Sequence, residues 1–383
     1  MTEPGPGGPG AVLVGLDIGN AGGSESVEEL RLLALSAGVR TLAVVRGRRD
    51  RPDPSLFAGT GKVEEIKRLA EEHGAALVIF NHELSPAQER NLEQVLERRI
   101  VDRTRLILEI FAQRAKSHEG KLQVEMARLE YQSTRLVRGW THLERQRGGR
   151  GTLGGMGETQ LEVDRRLIAK RVKVLRDKLA GFRRQREVQR RARARGQVLS
   201  VSMVGYTNAG KSTIFNAVTH ARAYAADKLF ATLDTTTRRL YLPESGKLVI
   251  SDTVGFIRNL PHTLVAAFRA TLEETIRADL LLHVVDASSS MRDIQIEEVN
   301  KVLAEIDAGD IPQVLIWNKI DLTGLEPGFD RDEYGKISRV RLSAKTGAGV
   351  EFLRQALIEV AAARNVAAIR PEIQHDIDAK ICH

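Results

Sequence analysis

A glycine-rich loop near the middle of the chain constrains the fold more than any other feature of the sequence. Gly205–Ser212 reads Gly-Tyr-Thr-Asn-Ala-Gly-Lys-Ser, which matches the phosphate-loop pattern G-x-x-x-x-G-K-S/T. A β-rich run, Leu199–Val204, precedes the loop, and a helical pattern, Thr213–Thr219, follows it. Glycine lets the backbone close around phosphate oxygens, and backbone N–H groups at the helix N-terminus face them. The pattern therefore predicts a strand–loop–helix unit of an α/β domain that holds a nucleotide.

The loop and one later strand predict a magnesium-bound triphosphate. Lys211 is expected to bridge the β- and γ-phosphates, and the Ser212 hydroxyl to bind Mg²⁺, which prefers oxygen ligands. Asp252-Thr-Val-Gly255 follows the strand-like run Leu248–Ser251. An aspartate at such a strand end holds Mg²⁺ through a water molecule, and a glycine lets its N–H approach the γ-phosphate. We therefore expect Lys211 and Gly255 at the reacting phosphate.

A third motif predicts which base is bound. Asn318-Lys-Ile-Asp321 follows the strand-like run Val314–Trp317, and N-K-x-D is the guanine-reading motif of GTPases. The Asp321 carboxylate accepts hydrogen bonds from guanine N1–H and the 2-amino group, whereas adenine leaves it unpaired at a cost on the order of a few kcal/mol. Ser343-Ala-Lys345 follows the run Ile337–Leu342 and fits the loop that supports the base. The sequence thus favours GTP over ATP.

The segment between the first two motifs predicts a second Mg²⁺ ligand. Phe230-Ala-Thr-Leu-Asp234 leads into Thr235-Thr-Thr-Arg-Arg239, and we expect GTP and Mg²⁺ to order this segment. The residues alone leave Thr232 and Thr235–Thr237 as alternative ligands. The predicted nucleotide site comprises Gly205, Tyr206, Thr207, Asn208, Ala209, Gly210, Lys211, Ser212, Thr213, Phe230, Ala231, Thr232, Leu233, Asp234, Asp252, Thr253, Val254, Gly255, Asn318, Lys319, Asp321, Ser343, Ala344 and Lys345.

Residues 11–116 predict another α/β domain, because strand-like runs alternate with helical patterns as they do in βαβ units with a parallel sheet. The predicted strands are Val12–Leu16, Thr41–Val45, Ala75–Phe80 and Ile100–Asp102, and the predicted helices are Val27–Ser36, Val63–His73, Pro86–Glu97 and Arg105–Arg114.

A second phosphate-loop look-alike lies in this region, at Gly59-Thr-Gly-Lys62. However, Leu56 stands at the first-glycine position, and Val63 replaces the Mg²⁺-binding serine or threonine. We interpret the run as a turn into a helix, with a second nucleotide site as the alternative.

Residues 117–196 predict a long helical hairpin with coiled-coil packing. One apolar seam has heptad-like spacing and requires a partner helix. Its members are Leu161, Ile168, Val172, Leu175, Leu179 and Phe182. An earlier apolar stripe supplies that partner, and it contains Leu122, Met126, Leu129, Leu136, Trp140 and Leu143. Gly148–Gly157 between the two is too rich in glycine to continue a helix, so we predict a glycine-rich tip there.

Positive charge is concentrated on the second helix of this hairpin. The whole chain has a net charge of +8 and a pI near 9.6, and residues 171–196 carry eleven Lys or Arg against Asp177 and Glu187. Such a stripe suits a polyanion such as nucleic acid, and a solvated helix face is the alternative. The predicted RNA contacts are Arg147, Arg150, Arg183, Arg184, Arg186, Arg190 and Arg191.

The composition argues against several other classes of protein. A single cysteine, Cys382, rules out a disulfide framework and argues against a cysteine-based zinc site. No run of ~18 consecutive apolar residues predicts a membrane span. Residues 1–10 are rich in proline and glycine and lack the basic and apolar regions of a signal peptide. We therefore expect a cytoplasmic protein.

Several signatures outside these general motifs resemble the HflX family of ribosome-associated GTPases. They are Gly59–Ile66, Asp102–Ala115, Glu119–Glu125, Gly157–Glu162, Asp164–Arg166 and Phe230–Asp234, and the likeness runs from about residue 11 to 364. The resemblance implies that Thr232 is the Mg²⁺ ligand. It implies the large (50S) ribosomal subunit and its rRNA as partners, and a GTPase that splits or rescues stalled ribosomes. At the hairpin tip, Leu153 and Met156 stand where the family usually has arginine and proline.

The predicted fold class is α/β: an N-terminal parallel-sheet α/β domain, a long helical hairpin (coiled coil), and a P-loop GTPase domain with a mostly parallel sheet. The expected division is a flexible N-terminus at 1–10, an HflX-like domain at 11–116, the hairpin at 117–196, the GTPase domain at 197–364 and a short tail at 365–383. We expect a monomer.

The expected activity is hydrolysis of GTP to GDP and phosphate, with Lys211, Thr232 and Gly255 as the catalytic residues. Phe256 stands where Ras-like GTPases have the glutamine that orients water, so we expect slow hydrolysis that the ribosome stimulates. Asn208 resembles the pattern of potassium-stimulated GTPases and suggests K⁺ beside Mg²⁺, with a purely structural role as the alternative. Two other functions stay open: a GTP-gated ribosome-silencing factor with incidental hydrolysis, and an RNA-remodelling protein with a second nucleotide site.

Overall fold

The chain folds into two compact units, each with its own sheet. The computed structural model describes residues 8–19, 24–139, 160–195, 198–219, 229–242, 246–258, 264 and 272–364. Of these, the first unit takes the residues within Met1–Arg184, Asp227–Phe230 and Leu260–Phe268. The second takes those within Gln185–Ala226, Ala231–Asn259 and Arg269–His383. The predicted boundary at residue 116 stays a prediction, because the N-terminal sheet and most of the helical hairpin share the first unit.

The first unit contains a parallel sheet of four strands in the order β2-β1-β3-β4. The strands are β1 (Gly10–Ile18), β2 (Arg40–Arg49), β3 (Leu77–Phe80) and β4 (Arg99–Val101). The helices between and after them are α1 (Ser24–Ser36), α2 (Thr60–Glu72), α3 (Pro86–Leu96) and α4 (Arg103–Arg114). Apolar residues of α2 and α3 form one core with Val12, Val14 and Val78 of the sheet. The predicted βαβ alternation is therefore present.

Two details of this unit bear on the predictions. Asp102, predicted as the end of a strand, instead caps α4, because its carboxylate accepts a hydrogen bond from the Arg105 N–H at 2.8 Å. The look-alike loop leads into α2 at Thr60, as interpreted. Its Lys62 Nζ donates to the Arg46 carbonyl at 3.0 Å and pairs with Glu65 at 2.6 Å. The Lys62 ammonium thus already has partners within the protein.

The helical hairpin consists of α5 (His118–Gly139) and α6 (Gln160–Arg195). Val172, Leu175 and Leu179 of the predicted seam are buried, as are Leu122 and Met126 of its partner stripe. The two helices are joined by a ring contact and two ion pairs: His118–Phe182, Glu125–Arg171 and Glu130–Arg176. The predicted tip, Gly148–Gly157, with Arg147, Arg150, Leu153 and Met156, lies outside the described residues, as do the segments 1–7 and 365–383.

The second unit contains a sheet of seven strands in the order β10-β11-β9-β8-β5-β7-β6. The strands are β5 (Leu199–Gly205), β6 (Thr236–Leu242), β7 (Gly246–Asp252), β8 (Leu280–Asp286), β9 (Gln313–Asn318), β10 (Gly328–Arg331) and β11 (Ile337–Arg341). All neighbours are parallel except β6 beside β7 and β10 beside β11. The helices include α7 (Lys211–Thr219), α8 (Arg292–Glu305) and α9 (350–364). The predicted mostly parallel α/β fold is confirmed.

One predicted segment of this unit, Phe230–Arg239, lies partly in a strand. Thr236–Arg239 belongs to β6 and pairs with β7, and ordering of the segment by the nucleotide stays a prediction. The Thr237 and Ser251 hydroxyls lie 3.0 Å apart across the two strands. These pairings hold the second half of the segment in the sheet. Among the described residues, no helix is both long enough and apolar enough to cross a bilayer.

Candidate nucleotide site

The phosphate loop lies between β5 and α7. Two of its glycines are required because a side chain would clash with neighbouring atoms and because their φ angles are positive. Gly205 and Gly210 have φ values of +146° and +97°. A Cβ at Gly205 would lie 2.2 Å from the Val284 carbonyl oxygen, and one at Gly210 would lie 2.1 Å from Asn318 Nδ2. Both residues therefore let the loop approach neighbouring strands more closely than a side chain permits.

Lys211 is buried at the first turn of α7 and points its ammonium back into the loop. Its Nζ donates to the carbonyl oxygens of Gly205 at 3.0 Å and Tyr206 at 2.8 Å. Burial lowers the pKa of Lys211 to about 8, and the nearby Asp252 carboxylate opposes that shift. The ammonium is thus held at the centre of the loop in a setting that favours an added anion.

Three oxygen-bearing side chains meet beside Lys211. Ser212 Oγ donates to Asp252 Oδ2 at 2.6 Å, and Thr232 Oγ1 lies 2.6 Å from Ser212 Oγ and 3.1 Å from Asp252 Oδ2. Asp252 is completely buried at the end of β7. Its Oδ1 makes no hydrogen bond to the described residues, although the Thr253 N–H lies near the carboxylate.

This cluster fits a hard divalent cation. It offers two hydroxyls and one carboxylate, the donors that Mg²⁺ prefers, and it contains a buried oxygen with unused capacity. Burial raises the pKa of Asp252, and the hydrogen bond from Ser212 works against that rise. A bound cation would favour the ionised carboxylate. Thr232, one of the four threonines left open by the sequence, lies in this cluster.

The base-reading motifs are joined at the ends of β9 and β11. Asn318 Nδ2 donates to the Ala209 carbonyl at 2.9 Å, and Asn318 Oδ1 accepts from the Ala344 N–H at 2.9 Å. Ser343 Oγ donates to Asp321 Oδ1 at 2.6 Å. Asn318 thus ties the phosphate loop to the base loop, and Ser343 orients a carboxylate that remains exposed to solvent.

The glycine and phenylalanine after Asp252 have different roles. A Cβ at Gly255 would lie 2.9 Å from Thr207 Cα and 3.0 Å from Lys211 Nζ, so the backbone here passes close to the loop. Phe256 is buried, its N–H donates to the Gly205 carbonyl at 3.1 Å, and its carbonyl accepts from the Thr207 N–H at 2.7 Å. Phe256 therefore braces the loop and offers no polar side chain to a water molecule.

The other predicted residues divide into bracing and exposed positions. Tyr206 accepts a hydrogen bond from the Arg258 N–H at 2.9 Å, and Thr253 donates to the Met203 carbonyl at 2.6 Å. Among the others, the buried positions are Ala209, Leu233 and Val254. The half-buried positions are Asn208, Ser212, Thr213, Ala231, Thr232 and Asp234. Lys345 is exposed. The Phe230 ring packs against the Phe111 ring within the first unit, and its predicted place in the nucleotide site stays a prediction.

Sequence reasoning missed Asp286, the last residue of β8. Its Oδ2 accepts from Lys319 Nζ at 2.7 Å, and Lys319 itself has a left-handed backbone with φ of +65°. The ion pair holds the base-reading loop in this unusual conformation. The available signal was a carboxylate at the end of the buried strand β8, at the same sheet edge as Asp252 and Asn318.

A phosphate loop, a cation cluster and a guanine-type base loop on one sheet edge define the second unit as a P-loop GTPase domain. Family models agree along the chain: "GTP-binding GTPase N-terminal" matches residues 24–112, "GTP-binding GTPase Middle Region" matches 114–193, and "50S ribosome-binding GTPase" matches 200–319. The structure of SsGBP with GDP is similar, with a TM-score of 0.51 at 24% identity over 93% of this chain and 99% of that one.

Curated relatives give the family. GTPase HflX of Escherichia coli (strain K12) is 56% identical over 91% of this chain and 82% of its own length. GTPase HflX of Magnetococcus marinus is 48% identical over 91% of this chain and 79% of its own length. The chain belongs to the HflX family of GTPases, and it is an enzyme that hydrolyses GTP.

Proposed function

We propose that this GTPase binds the large ribosomal subunit and its rRNA in the GTP-bound state, and that it splits or rescues stalled ribosomes. The observation that carries the proposal is the basic helix α6, which follows the N-terminal sheet domain and leads directly into β5 of the GTPase domain. The description of the family model over residues 200–319 as a 50S ribosome-binding GTPase supports the same partner.

The face of α6 that is proposed to meet RNA is the part left uncovered by α5. Arg171 and Arg176 are partly neutralised by Glu125 and Glu130, whereas Arg184 is exposed farther along the helix. Arg183, Arg190 and Arg191 lie on the same helix, with side chains outside the described residues. Guanidinium groups bind phosphate oxygens with paired hydrogen bonds, which suits them to an RNA backbone.

The residues of the site have proposed roles in hydrolysis. Lys211 holds the β- and γ-phosphates, the N–H of Gly255 approaches the γ-phosphate, and Ser212 and Thr232 hold Mg²⁺ with Asp252 acting through water. The bound Mg²⁺ would neutralise charge on the phosphate oxygens. Asn318 and Asp321 hold the guanine. Because Phe256 is buried, we propose that the ribosome supplies or orders the group that orients the attacking water.

Potassium is proposed as an additional cofactor beside the phosphates. Asn208 lies in the phosphate loop with a left-handed backbone, φ of +62°, a conformation that asparagine adopts more readily than most residues. The same residue is thus suited to a structural role. Turnover in KCl compared with NaCl separates the two roles: faster turnover in KCl that Asn208→Gly abolishes supports a K⁺ site, and equal rates contradict it.

Sedimentation tests the proposed function directly. Stalled ribosomes incubated with the protein and GTP should separate into subunits, and the protein should travel with the large subunit in GTP more than in GDP. A GTP-gated silencing factor would also bind the large subunit but would leave the ribosomes joined. Equal retention with GDP and GTP, or no retention at all, would contradict ribosome binding gated by GTP.

A further inference from the structure

Asp286 stands outside the base-reading motif and binds a residue of that motif through its side chain. Its Oδ2 accepts a hydrogen bond from Lys319 Nζ at 2.7 Å, and the two side chains are only 20% and 26% exposed. Its Oδ1 accepts from the Ser288 N–H at 3.0 Å and from the Ser288 hydroxyl at 2.6 Å. Three donors thus fix the carboxylate at the end of β8, and one of them is the Lys319 ammonium.

The backbones of the two loops are joined at the same point, within the second unit. Asp286 and Asn318 are partners in the parallel pairing of β8 with β9, and the Ala287 N–H donates to the Asn318 carbonyl at 2.9 Å. Lys319 follows Asn318 directly, so its backbone leaves β9 from a fixed position. The Asp286 carboxylate and the Lys319 ammonium therefore form a second link between two loops that the sheet already aligns.

The backbone conformation of Lys319 gives this link a purpose. Its φ is +65° and its ψ is +32°, in the left-handed region that residues other than glycine, asparagine and aspartate seldom adopt. A lysine stays in such a conformation only where surrounding contacts impose it. The Lys319 carbonyl accepts from the Leu322 N–H at 3.0 Å and starts the turn Ile320–Leu322. That turn carries Asp321, so the conformation of Lys319 sets where the Asp321 carboxylate lies.

We propose that Asp286 is a positioning residue for guanine recognition, which holds Lys319 in its left-handed conformation and thereby aims the Asp321 carboxylate at the base. The inference rests on the proposed role of Asp321 in binding guanine. Without the Asp286 carboxylate, Lys319 loses its ammonium partner, and the turn that carries Asp321 is free to move away from the edge of the base. Phosphate binding is retained, because Lys211 keeps its hydrogen bonds to carbonyl oxygens of the phosphate loop.

The test compares the affinities of the full chain for GDP and inosine diphosphate (IDP) by calorimetric titration in excess Mg²⁺. The base of IDP keeps N1–H and lacks the 2-amino group, so the ratio of the two affinities reports how well the Asp321 carboxylate meets that group. Asp286→Ala should weaken GDP binding ~10-fold, which corresponds to about 1.4 kcal/mol, and should bring the ratio towards one. Asp286→Asn, which keeps the shape and one acceptor oxygen, should recover part of the loss.

A double-mutant cycle shows whether Asp286 acts through Lys319. Lys319→Met keeps an unbranched side chain and removes the ammonium. In that background Asp286→Ala should weaken GDP binding by less than ~2-fold, because the ion pair is already lost. If the two changes instead weaken binding by factors that multiply, Asp286 acts independently of Lys319 and the inference is wrong.

Two further variants keep the test interpretable if Asp286→Ala folds poorly. Ser288→Ala changes an exposed residue, removes one donor to the Asp286 carboxylate, and should narrow the ratio by a smaller factor. Asp330→Ala is the matched control, because Asp330 is an aspartate of the same sheet that pairs with Arg341 at 2.5 Å. It should leave the ratio unchanged. An effect as large as that of Asp286→Ala would identify general destabilisation and overturn the inference.

Asp321→Ala separates failure of the inference from failure of the proposed site. If Asp321→Ala and Asp286→Ala both bring the ratio of GDP to IDP affinity towards one, the inference is supported. If only Asp321→Ala does so, the positioning role of Asp286 is wrong and the proposed reading of guanine stands. If Asp321→Ala leaves the ratio unchanged, the proposed role of Asp321 fails, and the inference fails with it.

Discussion

At the scale of single residues, the site depends on burying two opposite charges side by side. Lys211 and Asp252 are both removed from water, which lowers the pKa of the first and raises that of the second. The charged form of each is therefore disfavoured relative to water until a ligand of the opposite sign arrives. A triphosphate and a divalent cation supply those charges together, so we expect their binding to be strongly coupled.

The first prediction concerns the pH dependence of GTP binding. Because the pKa of Lys211 is lowered to about 8 in the free protein, the ammonium is present below that pH and is lost as the pH rises through it. GTP affinity should therefore fall as the pH is raised from 7 to 9. Calorimetric titration across this range measures the effect.

The control for this titration is Lys211→Arg. Arginine stays charged throughout the range, so this variant should show only the titration of the nucleotide itself, at whatever affinity it retains. An identical pH profile for the wild-type protein and the variant would show that Lys211 does not titrate in this window.

The second prediction concerns base selectivity. Asp321→Ala should weaken GTP binding by about 1.5–3 kcal/mol, because hydrogen bonds to a charged group are lost. Binding of ATP should not weaken, so the preference between the two nucleotides should narrow. Ser343→Ala, which removes the hydrogen bond to Asp321 but keeps the carboxylate, should lower GTP affinity by less. Equal losses for GTP and ATP in Asp321→Ala would contradict the proposed reading of guanine.

At the scale of elements, periodic apolar patterns and short motifs were predictable, and tertiary pairing was not. The seam of α6 was visible as Val172, Leu175 and Leu179, because helical spacing is a local property. By contrast, β6 has an apolar pattern too weak to separate it from the loop before it, and its pairing with β7 defines it. Asp102 was assigned to a strand because its capping bond depends on the turn that follows.

The third prediction tests the seam. Leu175→Ala removes a fully buried side chain and should lower the free energy of unfolding by about 2–5 kcal/mol. Leu167→Ala on the same helix is the matched control, because Leu167 is 58% exposed, and it should change stability by less than about 0.5 kcal/mol. Urea denaturation followed by circular dichroism provides the measurement. Equal effects of the two variants would mean that the seam does not stabilise the hairpin.

At the scale of the whole molecule, the order of motifs along the chain predicted the nucleotide site far better than its surroundings. Parallel strands bring Gly205, Asp252 and Asn318 to one sheet edge, so their convergence follows from topology. The place of the Thr232 hydroxyl beside Ser212 and Asp252 did not follow from the residues alone. Nor did the assignment of Phe230 to the first unit, because both depend on contacts between segments far apart in sequence.

The fourth prediction concerns the charge of α6. If Arg183, Arg184, Arg190 and Arg191 contact rRNA phosphates, changing all four to alanine should weaken binding to large subunits and flatten its dependence on salt, since fewer counterions are released. Changing the same four to lysine keeps the charge and should keep the slope. An unaltered slope in the alanine variant would identify the stripe as a solvated helix face.

Single-turnover hydrolysis of GTP in potassium buffer, with and without purified large ribosomal subunits, tests the central claim most directly. Phe256 is buried and offers no polar group to the attacking water, so a subunit that supplies or orders such a group should raise the rate at least ~10-fold, which requires only about 1.4 kcal/mol of barrier lowering. A rate that is the same with and without saturating large subunits would contradict the proposal that the ribosome completes this active site.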